Sequence, residues 1–112
     1  MRLVLSKKED INLELTFEWH EGKAKESLKK HKFSFEEAKT IFGDPFLMTY
    51  PDLDHSESEQ RYINIGTSSK DRLLVVIHTE RGENIRIISC RKAITRERTV
   101  YEEGKSQTVT GG

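Results

Sequence analysis

A chain of 112 residues has room for one domain and a modest core. With 34% apolar residues, 34% charged residues, zero formal net charge and one cysteine, it falls outside the disulfide-stapled, membrane-spanning and strongly basic nucleic-acid-binding classes. Its apolar residues are periodic rather than scattered, so a folded protein in a reducing, cytoplasmic setting is the expectation.

The opening "MRLVLSKKED" carries an apolar patch too short for a signal-peptide core. "LELTFEW" then alternates, with Leu13, Leu15, Phe17 and Trp19 on one face, the period of a half-buried strand. "HEGKAKESLKKH" is polar, with Ala24 and Leu28 four apart, and predicts a thinly amphipathic helix. In "SFEEAKTIFG", Ser34 is a good N-cap and Glu37 completes a capping box. Phe35, Ala38, Ile41 and Phe42 form one stripe, and Gly43 is placed to end the helix. "PFLMTYPD" predicts a short strand closed by Pro51, and "RYINIGTS" a second strand that breaks at Gly66. "RLLVVIHTE" is apolar on both faces, as a central strand requires. Arg81-Gly82 signals a hairpin, and "ENIRIISCR" returns as its partner. "TRERTVYEEG" predicts a last helix, with Thr95 as N-cap and Gly104 as its end. "KSQTVTGG" reads as a loose tail. The expected fold is an α+β domain, a small antiparallel sheet packed on one side against two N-terminal helices and a C-terminal helix.

Zero net charge hides strong local bias. Lys23 to Lys39 holds six lysines against three glutamates, and Arg86 to Arg98 holds five basic residues against one acid. Asp44 to Gln60 holds five acids and no lysine or arginine. If the basic regions meet in space, they make a charged face. Arg61, Arg72, Arg86 and Arg91 punctuate the strands. One reading makes them solvated strand ends paired with Glu57, Glu59, Glu80 or Glu97. The other makes them a platform for phosphate, which the guanidinium fork fits. Arg86 and Arg91 are five apart, so a regular strand sends them to opposite faces unless a bulge intervenes. Lys29-Lys30-His31-Lys32 suits a helix C-terminus, and also suits an RNA contact with His31 as a proton carrier. Asp52, Asp54 and His55 match no standard metal pattern, so no metal or other cofactor is expected. His78 reads as a core histidine, Cys90 as a small buried residue and Trp19 as core beside the first helix.

Between Phe17 and Gly104 the order of motifs is specific. "FEW" is followed by "KH" and "SFEEA", then by "DHSE", Glu-x-Arg, Ile-Gly and "RIIS" with an arginine two residues on. Together these resemble the BrnT family of type II toxins, a branch of the RelE-like ribonuclease fold. The family pattern has Asp after "FEW" and Ala inside "RIISAR", where this chain has His20 and Cys90. His20 is expected to alter a helix cap, and Cys90 is nearly isosteric. On this resemblance residues 1–104 form one RelE-like toxin domain, with 1–16 as an N-terminal extension and 105–112 as a flexible tail.

The resemblance implies a metal-independent endoribonuclease that inhibits translation, the RNA's own 2′-OH attacking the adjacent phosphate. It implies a BrnA-like ribbon-helix-helix antitoxin as partner, DNA contact only through that antitoxin, and no membrane. Whether the toxin pairs as a homodimer in the complex, and whether its RNA is ribosome-bound, stay open. By motif, Arg61 and Arg91 are the expected phosphate and transition-state contacts, with Arg86 next. Glu59 is expected either as base or as the residue orienting Arg61. Lys30 and His31 are expected to bind RNA. Tyr101 is a further RNA contact or a core residue. The competing reading is a non-catalytic module that keeps the fold and only binds an antitoxin-like regulator.

Overall fold

The computed structural model describes residues 2–6, 12–55 and 58–110. Strands β1 (Arg2–Ser6) and β2 (Asn12–Trp19) lead to helix α1 (Glu21–His31) and the short helix α2 (Phe35–Ala38), which tightens into a 3₁₀ turn over Lys39–Gly43. Strands β3 (Met48–Pro51), β4 (Arg61–Thr67), β5 (Leu73–Arg81) and β6 (Asn84–Lys92) follow, then helix α3 (Thr95–Thr110). They form one six-stranded sheet in the order β1-β2-β6-β5-β4-β3.

The β3–β6 meander is antiparallel, as expected, but β2 joins β6 in parallel. The sheet is therefore mixed rather than purely antiparallel. Within residues 1–16, Arg2–Ser6 adds an edge strand antiparallel to β2. Helices cover both faces, not one. Phe33, Phe35, Ala38, Ile41 and Phe42 pack on the face carrying Phe17, Leu74, Val76, Ile85 and Ile87. Tyr101 and Ala93 pack on the opposite face, over Ile65, Leu73 and Val75. Central β5 is buried on both faces, which is why its apolar run is unbroken. Among the described residues no helix is long and apolar enough to cross a membrane.

Local chemistry explains the boundaries. His20 caps α1, its Nδ1 accepting the Lys23 N–H at 3.2 Å. Ser34 caps α2 by accepting the Glu37 N–H at 3.0 Å. The Glu37 carboxylate is used elsewhere than in a capping box. It is 4% exposed and accepts from the Arg72 guanidinium and from Ser68 Oγ. Gly82, at φ +59°, opens a two-residue turn between Arg81 and Asn84. Thr95 is the first residue of α3, and the Glu97 carboxylate accepts the Ile94 N–H at 2.9 Å. The helix runs through Gly104 to Thr110, so residues 105–110 are helical rather than a loose tail. His78 is a core histidine: its Nδ1 meets Asn64 Nδ2 at 2.7 Å, and its ring stacks on Tyr62. Cys90 is fully buried, and desolvation pushes its thiol up to about 12. Trp19 meets Phe35 edge-on and donates to Glu21.

Two stability predictions follow from these contacts. Gly66 does not break β4, which continues to Thr67. A Cβ there would lie 2.9 Å from Leu47 Cδ1 and 3.1 Å from Ile41 Cβ. Gly66→Ala is expected to cost about 1–2 kcal/mol in urea unfolding, overpacking outweighing the smaller gain from a stiffer unfolded chain. Arg72→Ala is expected to cost about 2–3 kcal/mol, because it strips a buried carboxylate of its main partner. Hydrogen bonding to Arg72, and then to Ser68, holds the Glu37 carboxyl below its ordinary 4.5 against the opposing pull of desolvation. That stabilisation is complete above pH 4.5 and drains as pH falls through the lower folded value. The Arg72→Ala melting temperature should therefore lose less than wild type on acidification.

Candidate active site

Helix α1 lies beside the half of β6 that β2 does not pair. Ser27, small and buried, lets the helix come close and donates to the Cys90 carbonyl at 3.3 Å. Between α1, the sheet and the 52–55 segment runs a groove of about 640 Å³. Lys23, Glu26, Lys30 and His31 line its helical wall. Ile63, Ile77, Ile88 and Ser89 make its floor. Asp52, Asp54, His55 and Arg61 stand opposite, and Arg91 completes it.

The basic regions around α1 and β6 thus meet, and the acidic segment meets them. The lining holds four full cations, three carboxylates and two imidazoles. An acidic loop beside Arg61 is accordingly part of one mixed-charge groove rather than a separate surface feature.

A bulge organises the arginines. Ile77 pairs with Ser89 but His78 pairs with Ile87, so Ile88 is the extra residue of β6. Arg86 then opposes Thr79 and Arg91 opposes Val75, four apart on β5, so both arginines share a face. Arg61 also opposes Thr79, from β4, on that face. Their surroundings differ. Arg86 donates to Glu18 at 2.7 Å and lies outside the groove lining. Glu18 also accepts from Asn84, and these two bonds, Asn84 first, hold its carboxyl low. Arg91 lines the groove and is gripped by Glu97 through two bonds of 2.8 and 2.7 Å. That pairing lowers the Glu97 carboxyl and raises the Arg91 guanidinium.

Of the expected residues, Arg61, Arg91, Lys30 and His31 come together, and Arg86 and Glu59 stand outside the lining. Glu59 sits in a bend ahead of β4 rather than on an extended run. Tyr101 is 3% exposed, and its hydroxyl donates to Asp44 at 2.6 Å. Desolvation, then the bond to Asp44, pushes it up to about 12. It is a core residue away from the groove. Of the alternative ion-pair partners, Glu97 holds Arg91, Glu80 approaches His78 at 3.7 Å, and Glu57 lies outside the described residues.

Asp52 and His55, which match no metal pattern in the sequence, form a pair in the structure. Asp52 is buried, and its oxygens lie 3.2 and 3.3 Å from His55 Nδ1. The Asp52 N–H donates to the Arg61 carbonyl at 2.8 Å, tying the loop to β4. The signal was present as an i, i+3 spacing, which a 3₁₀ turn brings side by side. Among the described residues no three His, Cys, Asp or Glu side chains converge as a metal site requires.

The family model for "Ribonuclease toxin, BrnT, of type II toxin-antitoxin system" matches residues 19–97. The chain belongs to the BrnT family. Every residue lining the groove falls inside that BrnT match. A BrnT solved by crystallography, the Brucella abortus ribonuclease toxin, is similar in structure. It is 20% identical, with a TM-score of 0.57, over 72% of this chain and 99% of that one. At that identity the likeness shows the fold. No curated protein matches the chain.

Proposed function

We propose that this BrnT-family chain is an endoribonuclease that cleaves RNA without a metal ion and so inhibits translation. The observation that supports it most is the convergence, in one groove, of Arg61, Arg91, Lys30, His31 and a histidine oriented by a buried carboxylate. Asp52 takes the His55 Nδ1–H, which leaves Nε2 to remove the 2′-OH proton. The 2′-oxygen attacks the adjacent phosphorus and the bond to the 5′-oxygen breaks. His31, on the opposite wall, protonates that leaving oxygen. The products are a 2′,3′-cyclic phosphate and a 5′-OH. Arg61 and Arg91 stabilise the dianionic phosphorane, and Lys30 holds a neighbouring phosphate. Arg86 and Glu59 act from outside the groove, as supports for RNA and for Arg61.

The partner in this reading is a BrnA-like ribbon-helix-helix antitoxin that covers the groove and alone contacts DNA, in the cytoplasm. Near-balanced charge in the groove suits an RNA presented in a fixed setting, because it gives little general attraction to polyanions. Induced expression in a bacterial host is expected to arrest growth and cut transcripts. Arg61→Ala, at equal protein level, should restore growth. Undiminished arrest by that variant would place the site elsewhere.

A further inference from the structure

The groove floor continues beyond the groove. In register across the sheet, Ser89, Ile77, Ile63 and Tyr50 stand in one row on one face. The first three are floor residues, and Tyr50 is one strand further out, about 5 Å away. Tyr50 is on edge strand β3 and 39% exposed. Partial burial, then the Glu97 carboxylate, raises its hydroxyl above the ordinary 10.0, with Arg91 opposing. The Tyr50 hydroxyl is therefore within electrostatic reach of Glu97 and of Arg91, the arginine that completes the groove. The row runs from Ser89 through two isoleucines to an aromatic side chain, and is flanked on one side by Arg61, two residues from Ile63, and on the other by Arg91, two residues from Ser89. Phosphate-binding arginines beside an apolar strip with a terminal ring suit a single-stranded nucleotide, charged backbone and flat base together.

We propose that this row is a nucleobase subsite in which Tyr50 stacks on the base next to the phosphate held by Arg61 and Arg91. It deepens the ribonuclease reading and rests on it. Tyr50 is then a specificity-determining residue. It selects for an unpaired, unstacked base beside the cut and supplies part of the substrate affinity.

The test starts by mapping a wild-type cleavage site, on free RNA or on translating ribosomes, and making short single-stranded RNAs that span it. One carries all its bases; others carry an abasic ribose on either side of the cut. Tyr50→Ala and Tyr50→Leu should raise KM about 10- to 100-fold with kcat changed less, and Tyr50→Phe should stay near wild type. One abasic RNA should cost the wild type the same factor and cost Tyr50→Ala nothing further. Tyr50→Leu keeps apolar bulk without a ring, so it guards against a simple loss of fold. Unchanged KM in Tyr50→Ala and Tyr50→Leu, or equal abasic penalties in wild type and Tyr50→Ala, overturns the subsite while leaving the ribonuclease intact. Absence of any wild-type cleavage overturns the ribonuclease reading, and the subsite falls with it.

Discussion

Replacing Arg91 by alanine is expected to lower RNA cleavage about 10²- to 10³-fold and to leave the protein folded. In the proposed mechanism the loss follows from removing a fixed cation from the place where the phosphorane gathers charge. The retained fold follows from its environment. The Arg91 side chain is 41% exposed, and its partner is the partly buried Glu97. Such a pair contributes about 1 kcal/mol at most, and Glu97 keeps its bond from the Ile94 N–H. Steady-state cleavage beside a circular dichroism melt checks both halves. A collapsed dichroism spectrum would make Arg91 structural instead.

His55→Ala is expected to cost about 10²- to 10⁴-fold in kcat, the usual worth of a positioned acid–base group. His55 is exposed, but its loss takes a hydrogen-bond partner from the buried Asp52 carboxylate, so stability should fall by about 1 kcal/mol with the fold retained. Asp52→Asn should lose activity by a smaller factor. It retains the loop's backbone bond to Arg61 but no longer fixes the imidazole through a charged acceptor. A His55→Ala variant with wild-type kcat would remove His55 from the reaction and leave His31 as the candidate base.

Signals that are local in the chain were legible. The alternation of "LELTFEW", the apolar run of β5, the Ser34 cap and the hairpin at Gly82 each follow from neighbouring residues. What depends on distant partners was not. Nothing within β2 or β6 announces that they pair in parallel. The bulge at Ile88 lies between Ile87 and Ser89 with no glycine to mark it, yet it decides that Arg86 and Arg91 share a face. Glu37 carries a capping-box spacing, but Arg72, 35 residues away, takes its carboxylate. Gly66 looks like a strand end and is instead the place where Leu47 and Ile41 approach β4. The family pattern named Arg61, Arg91, Lys30 and His31, which line the groove, and also Arg86 and Glu59, which do not. The Asp52–His55 pair was visible only as a failed metal motif, because its meaning depends on the turn that brings the two side chains together.

The most direct measurement is cleavage of a long RNA in EDTA, followed by analysis of the new 3′ ends. Wild type, Arg91→Ala and His55→Ala would be compared with and without translating ribosomes. Cyclic-phosphate ends made by wild type and nearly absent from both variants are the predicted result. Equal cleavage by all three proteins, or none by folded wild type in either setting, would contradict a metal-independent ribonuclease acting in this groove.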